Sequence, residues 1–256
     1  MQHAARTAAF KALHVKSDPV VLFNIWDAGS AAIVASAGAK ALATGSAPVA
    51  MAQGFADGEN MPLALMLENL RRIIAATDLP VSCDVEGGYG AAPETVADTV
   101  RQAITTGAVG FNFEDQIVGT DELYDIDTQC ARIAAARIAA DAIVPDVMIN
   151  ARTDLFLKSK TEDHIDAMLD AAIARAKAYH AAGGDCFFAP ALVDPTLIKR
   201  LCDACPMPVN ILALPSAPDN ATLASLGVAR ISYGPVPYKK MAAWLGDTAK
   251  AAIAYS

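Results

Sequence analysis

Residues 80–113 read PVSCDVEGGYGAAPETVADTVRQAITTGAVGFNF, and they compress one repeating unit into 34 positions. Pro80–Val85 is a short, nearly continuous apolar run of strand length, as expected of a parallel strand covered on both faces. A glycine-rich turn follows. Glu94–Thr105 then carries a helical pattern, opened by Pro93-Glu94 at the first turn and closed by Thr106-Gly107-Ala108. Glycine just past a helix end supplies the left-handed cap that stops the helix and turns the chain into the next strand, here Val109–Phe113.

The same rhythm extends in both directions. Strand-like runs occur at Val20–Ile25, Ala39–Ala43, Asp146–Asn150, Asp185–Ala189, Pro208–Leu212 and Ala229–Tyr233 as well. Helical patterns between them include Leu63–Thr77, Gln129–Asp141, Glu162–Ala182 and Pro195–Cys205. Further glycine stops stand at Gly38, Gly183 and Gly227, and further helix starts at Thr161-Glu162 and Asp194-Pro195. Eight strands alternating with helices over 256 residues give an α/β fold of (β/α)8 TIM-barrel type, in one domain over 1–256 with a short N-terminal helical arm. An open doubly wound sheet needs fewer strands and a nucleotide-binding turn, and neither GxGxxG nor GxxxxGK is present.

Composition narrows the function classes. Hydrophobic residues make up 54% of the chain against 19% charged, too much apolar mass for a disordered protein. Apolar stretches are cut by Asp, Gly or Pro well before a membrane span of roughly 18 residues, and Met1–Lys16 reads as an amphipathic helix (Phe10 and Leu13 on one side) without a cleavage site. The formal net charge of −8 leaves no basic patch for nucleic acid or anionic lipid. Five cysteines, an odd and sparse set, fit a reducing cytoplasm; Cys202 and Cys205 read as small residues closing a helix before Pro206. The histidines (His3, His14, His164, His180) match neither a zinc spacing nor a serine-hydrolase relay.

Barrel active sites are built from the loops after the strands, and unusual polar residues collect there. The first strand is followed by Asn24-Ile-Trp26-Asp27 and the second by Thr44-Gly45-Ser46-Ala47, then a segment holding Asp57. Asp84 and Glu86 follow the third strand, Glu114-Asp115-Gln116 the fourth, Asn150-Ala-Arg152-Thr-Asp154 the fifth, and Asn210 opens the seventh. Asp84 and Glu86, two apart, point to one side of an extended chain, and with Glu114 and Asp57 they converge on one mouth. Such anions repel unless a hard cation joins them, and Mg²⁺ needs only one or two direct carboxylates beside water and substrate oxygens. The plainer alternative is that each carboxylate caps a helix or pairs with an arginine. The Thr44–Ala47 turn offers backbone N–H groups to a carboxylate, or is an ordinary small-residue turn. Arg152 offers a bidentate fork to an oxyanion, or pairs with Asp154 or Glu114.

Taken together, Phe10–Ser30 (FKALHVKSDPVVLFNIWDAGS), Ala41–Ala50 (ALATGSAPVA), Asp84–Gly90 (DVEGGYG), Phe113–Gln116 (FEDQ) and Asn150–Asp154 (NARTD) make the chain resemble the isocitrate lyase/phosphoenolpyruvate mutase superfamily, in its short phosphonomutase-like branch. The resemblance implies a barrel whose last helix swaps between neighbours in a homodimer or homotetramer. It implies Mg²⁺ (Mn²⁺ as a substitute) at Asp84, with Asp57, Glu86 and Glu114 nearby. It also implies a small 2-oxo acid held by the Thr44–Ala47 turn and Arg152, with Trp26 and Asn210 lining the site. The lyases' loop after the fourth strand carries Lys, Cys and His; here Gln116 is followed by IVGTDELYD, with Thr120 as the nearest match to a hydrolase loop threonine. Phe188-Ala-Pro190-Ala191 lacks the lyases' glutamate.

The expected function is therefore a Mg²⁺-dependent lyase working through an enolate, most simply an oxaloacetate-type decarboxylase, with Arg152, Asp57 and Glu114 as catalytic residues. Phosphonopyruvate mutase or hydrolase chemistry is the alternative, and a non-catalytic barrel binding 2-oxo acids is a second. No strand ends in a lysine for Schiff-base chemistry.

Overall fold

The computed structural model describes residues 2–161 and 165–254. Its strands are β1 (Val20–Leu22), β2 (Leu42–Ala43), β3 (Val81–Asp84), β4 (Gly110–Glu114), β5 (Met148–Arg152), β6 (Cys186–Phe188), β7 (Val209–Leu212) and β8 (Arg230–Ser232). The helices are α1 (Gln2–Ala12), α2 (Ala28–Ser36), α3 (Ser46–Ala52), α4 (Leu63–Ala75), α5 (Pro93–Thr105), α6 (Ile126–Asp141), α7 (Asp166–Ala181), α8 (Pro195–Ala204), α9 (Asn220–Ser225) and α10 (Val236–Ile253).

All eight strands are parallel and follow one another around a sheet in the order β1-β8-β7-β6-β5-β4-β3-β2. The last gap, between β1 and β2, is bridged by Ile25 against Thr44, with the Ile25 N–H donating to Ala43 O at 2.9 Å. This is the expected (β/α)8 barrel. Every anticipated strand run overlaps an observed strand; most are shortened, while β4 and β5 run past the anticipated ends to Glu114 and Arg152. The helix-stop glycines Gly38, Gly107, Gly183 and Gly227 all have left-handed φ, between 94° and 108°. Pro93 opens α5, and Asp194 caps α8 by accepting the N–H groups of Thr196 and Leu197. Helix boundaries move by a few residues, most clearly at α6, which begins at Ile126 instead of Gln129 because the Asp125 side chain accepts the Thr128 N–H and caps it there. The start expected at Thr161-Glu162 falls partly on 162–164, outside the described residues.

Two apolar layers hold the barrel. Between sheet and helices lies the larger one, including Leu70, Val100, Phe111, Ile133, Ile149, Phe187 and Ile198. A smaller cluster, Val20, Leu22, Ala43, Val109, Met148 and Cys186, packs with Phe10 of α1. Gly110 permits this packing: a Cβ there would sit 3.1 Å from the Phe10 ring and 2.8 Å from Met148 O. In a barrel of this kind the chemistry sits at the C-terminal mouth. Cys202 lies in α8 and Cys205 caps it, both thiols are free, and burial pushes them up to about 12 and about 11. No described helix is long and apolar enough to cross a membrane.

Candidate active site

At the mouth lies a cavity of about 290 Å³. Asn24, Gly45–Ala47, Asp57, Asp84, Asn112 and Arg152 form its polar side; Leu157, Phe188, Pro190, Leu212 and Leu214 form the other. The polar side rests on short, fixed connections. Thr44 ends the β2 segment, and its Oγ1 accepts the Asp84 N–H at 3.0 Å, tying the β2 turn to the end of β3. The Asn24 amide donates to Thr44 O and accepts the N–H groups of Tyr233 and Gly234, so it fastens the β8 loop to the same turn. Ser46 and Ala47 then start α3 and line the cavity.

Asp84 is held at both oxygens, Oδ1 by the Glu86 N–H at 3.0 Å and Oδ2 by Asn112 Nδ2 at 3.1 Å. Burial raises its pKa, opposed by Arg152 and reinforced by the Asp57 anion. Glu86 follows with φ of 52°, in a turn where Gly88 and Tyr89 are also left-handed. That strain is sustained by two reciprocal staples. Glu86 Oε2 accepts the N–H groups of Gly58 and Glu59, and Glu59 Oε1 accepts the Tyr89 N–H at 2.7 Å. Burial, then the Asp84 charge, pushes Glu86 up to about 8. Glu114 is raised as well, chiefly by burial, and pairs with Arg152 at 2.8 Å.

Arg152 satisfies both plain pairings at once. Nη1 meets Glu114, while Nε and Nη2 fork onto Asp154 at 2.5 and 2.8 Å. Behind it sits Asp115, fully buried, whose carboxylate accepts the Asp154 N–H (3.0 Å), Arg175 Nη1 (3.0 Å) and Tyr179 OH (2.7 Å). A second buried cation, Arg132, donates to Gly87 O, Gly90 O and Gln129 and stacks on Phe113 and Tyr124, pinning the glycine turn from below.

Gly45, Ser46, Ala47, Asp57, Asp84 and Arg152 thus share the main cavity, and Glu86 and Glu114 join Asp57 and Arg152 on an adjoining polar recess. Trp26 instead packs edge-on against Tyr238, 5.2 Å between centroids. Asn210 is wholly buried two residues below Leu212, accepting Ser232 Oγ. The segment after β4 closes on itself: Gln116 bridges Leu123, Thr120 Oγ1 donates to Ile117 O, and Lys158 Nζ donates to Thr120 O. Sequence reasoning quoted Asp115 without giving it a task and passed over Asn112, Arg132, Arg175 and Arg230. The buried-charge pairing that gives them meaning is a three-dimensional fact, and only the EDQ run hinted at it.

Among the described residues no three acidic, His or Cys side chains form a ready cage for a metal ion. The donor set nevertheless suits a hard cation of few protein ligands: Asp84 faces the cavity, its neighbours are oxygen acids, and their mutual repulsion is incompletely offset by Arg152.

Parallel strands closing a barrel, with acids and an arginine at their C-terminal ends, define an α/β-barrel of enzyme type. The chain belongs to the phosphoenolpyruvate phosphomutase family, whose sequence profile matches residues 10–253, within the isocitrate lyase/phosphoenolpyruvate mutase superfamily of lyases and mutases. It is similar to a solved structure from Burkholderia cenocepacia J2315 provisionally assigned as a phosphonomutase, with 52% identity, TM-score 0.95, and 98% of this chain and 99% of that one covered. It is 31% identical to the 2-methylisocitrate lyase of Escherichia coli K12 over 78% of this chain and 67% of that one. The oxaloacetate decarboxylase of Paraburkholderia xenovorans LB400 is 29% identical over 79% and 67% respectively.

Proposed function

We propose that the protein is a Mg²⁺-dependent lyase (Mn²⁺ substituting) that decarboxylates an oxaloacetate-type 2-oxo acid. The observation that carries this reading is the two-sidedness of the cavity. Its polar side suits the 2-oxo acid end of a substrate, while Leu157, Phe188, Pro190, Leu212 and Leu214 form the opposite side. A carboxylate facing apolar side chains is poorly solvated and is better placed to leave as neutral CO₂. The segment after β4 contributes no Lys, Cys or His, which decarboxylation does not require.

Asp84, with Glu86, Glu114 and Asp57 around it, would hold the cation, which when bound supplies Lewis-acid stabilisation of the keto oxygen. The backbone N–H groups of Ser46 and Ala47 orient the C1 carboxylate. Arg152, braced by Glu114 and Asp154, keeps a fixed positive charge beside the oxygen on which charge develops. The C3–C4 bond breaks, its electron pair passes to the enolate, and CO₂ departs toward the apolar side. Asp57, exposed at the rim, relays a solvent proton to C3 to give pyruvate.

The 52% identical structure favours phosphonopyruvate as the second substrate to test. A phosphonyl group calls for several cations; among the described residues the cavity offers Arg152, already carrying two carboxylates, and Lys239.

We also propose that copies of the chain associate through α10. Trp244 and Leu245 on it are 65% and 54% exposed. An apolar groove of about 570 Å³ between β1 and α2, lined by Val21, Phe23, Ile33 and Val34, suits the α10 of a second copy.

The experiment incubates the protein with Mg²⁺ and oxaloacetate and reads pyruvate with coupled lactate dehydrogenase, Asp84→Ala serving as background for metal-catalysed decay. A parallel reaction with phosphonopyruvate reads phosphate and phosphoenolpyruvate. Pyruvate well above the Asp84→Ala background supports the assignment; equal rates refute it, and phosphorus products transfer it to the second substrate.

A further inference from the structure

Arg230 points from β8 into the barrel and is 1% exposed, yet it forms no ion pair among the described residues. Its Nε lacks any partner, and burial pulls the guanidinium down to about 10. A buried cation without a counter-ion is costly, so a stabilising role does not explain it. Its contact does. Arg230 Nη2 reaches across to β4 and donates to Asn112 Oδ1 at 2.9 Å. Asn150 Nδ2 donates to the same oxygen at 2.7 Å.

An asparagine amide has one accepting and one donating end, and a guanidinium only donates. With Arg230 and Asn150 both facing Oδ1, the amide cannot turn over without setting N–H groups against N–H groups. Its Nδ2 is therefore fixed toward Asp84 Oδ2, at 3.1 Å. The Glu86 N–H holds the other Asp84 oxygen, so the carboxylate is clamped at both ends. Of these restraints the Arg230–Asn112 arm comes from the opposite wall of the barrel, β8 across from β4.

We propose that Arg230 is a positioning residue: by locking the Asn112 amide it holds the Asp84 carboxylate in the one orientation that presents its remaining lone pairs to a divalent cation in the cavity. The inference rests on the reading of Asp84 as the cation-binding carboxylate. It assigns Arg230 no contact with substrate. Partners that orient a ligating carboxylate commonly change metal affinity by 10–100-fold when removed.

The test is Mn²⁺ binding, read by the loss of free-ion EPR signal on titration into the metal-free protein, alongside calorimetric melting of the same samples. Arg230→Met keeps volume and loses both charge and hydrogen bond; Arg230→Lys keeps charge and loses the planar fork. The expected result is Mn²⁺ binding weakened about tenfold in both variants, with the melting temperature of Arg230→Met at or above wild type. In an Asn112→Ala background, the Arg230 substitutions should add no further loss, because the arm through which they act is gone. Tighter Mn²⁺ binding by Arg230→Met, with Arg230→Lys unchanged, would mean that Arg230 acts by charge alone and overturns the proposal. Unchanged affinity with a lowered melting point overturns it in favour of a packing role. If Arg230→Met does not fold, Arg230→Lys decides by the same criterion. Asp84→Ala separates the underlying reading: should Mn²⁺ still bind that variant as it binds wild type, the cation reading fails and this inference with it.

Discussion

Asp115→Ala should be among the most damaging single substitutions available in this protein, although Asp115 touches neither cavity nor solvent. Its carboxylate is 0% exposed and accepts Arg175 Nη1 at 3.0 Å, Tyr179 OH at 2.7 Å and the Asp154 N–H at 3.0 Å. Alanine leaves a cation, a hydroxyl and an amide facing a void together. Breaking a buried pair from one side costs about 3–5 kcal/mol. For a chain of this size about 1 kcal/mol corresponds to roughly 2–4 °C, so the melting temperature should fall by on the order of 10 °C. Tyr179→Phe removes two hydrogen bonds to charged partners, the one it donates to Asp115 and the one it accepts from Arg175, but leaves the Asp115–Arg175 pair in place, so it should cost less than Asp115→Ala, about 1.5–3 kcal/mol. Urea denaturation monitored by tryptophan fluorescence gives both numbers, and the ranking is the check. Since Asp115 holds the Asp154 N–H and Asp154 is a partner of Arg152, turnover by Asp115→Ala should also fall below that of wild type at temperatures where the variant is still folded. A loss under about 1 kcal/mol, or the smaller loss of the two, would show that the Asp115 cluster is not the brace behind Arg152.

Glu86 makes stability depend on pH in an unusual direction. Its carboxyl is raised from 4.5 to about 8, so between these values the folded state holds a proton that the unfolded state has lost, and metal-free stability should fall as pH rises through that window. Glu86→Gln should flatten that slope, measured by urea midpoints from pH 5 to 9; an equal slope in the variant would reject Glu86 as its source. Gly88→Ala should destabilise by about 1–3 kcal/mol, because φ is +87° and the new Cβ would lie 2.9 Å from Val96 and 3.0 Å from Phe113; a urea midpoint matching wild type would contradict the turn geometry. Trp244→Glu should convert an assembled species to monomer in light scattering, and an unchanged mass would remove α10 from the interface.

The barrel was legible because its determinants are local. Apolar runs such as Val109–Phe113 and stops such as Gly107 act within a few residues, and their repetition alone implies the closed sheet. The polar residues at strand ends were legible for the same reason. What each one touches was not. Arg152 was weighed between Glu114 and Asp154, and it meets both, which depends on how β4 and β5 stand side by side. Arg132, Arg175 and Arg230 sit in helices or a strand where pattern reading takes a cation for surface charge, yet Arg132 and Arg230 are 1% exposed. Trp26 and Asn210 stood at strand ends like the others. Trp26 packs on Tyr238 near the other end of the chain, and Asn210 Oδ1 accepts Ser232 Oγ on the neighbouring strand, contacts that neither residue's place in the sequence announces.

The charges at the mouth also dictate an order of events. Asp57, Asp84, Glu86 and Glu114 surround the polar side of the cavity, and Arg152 is already matched by Glu114 and Asp154. Burial keeps a proton on part of this set, Glu86 above all, and a dianionic substrate entering beside the remaining anions meets repulsion that the already paired Arg152 does not offset. On the proposed function, a divalent cation held by Asp84 would reverse the sign locally and should bind before the substrate, and the dianion oxalate serves as the probe. Oxalate alone should leave the melting temperature unchanged, Mg²⁺ alone should raise it modestly, and the two together should raise it by more than the sum of their separate effects. The raised carboxyls Asp84, Glu86 and Glu114 make the prediction stricter, since a cation competes with protons for them. The joint effect should therefore shrink as pH falls from 8 toward 6. Oxalate stabilising the metal-free protein as well as the loaded one would mean that Arg152 and the α3 backbone suffice to bind the anion, and that the acids do not gate the site.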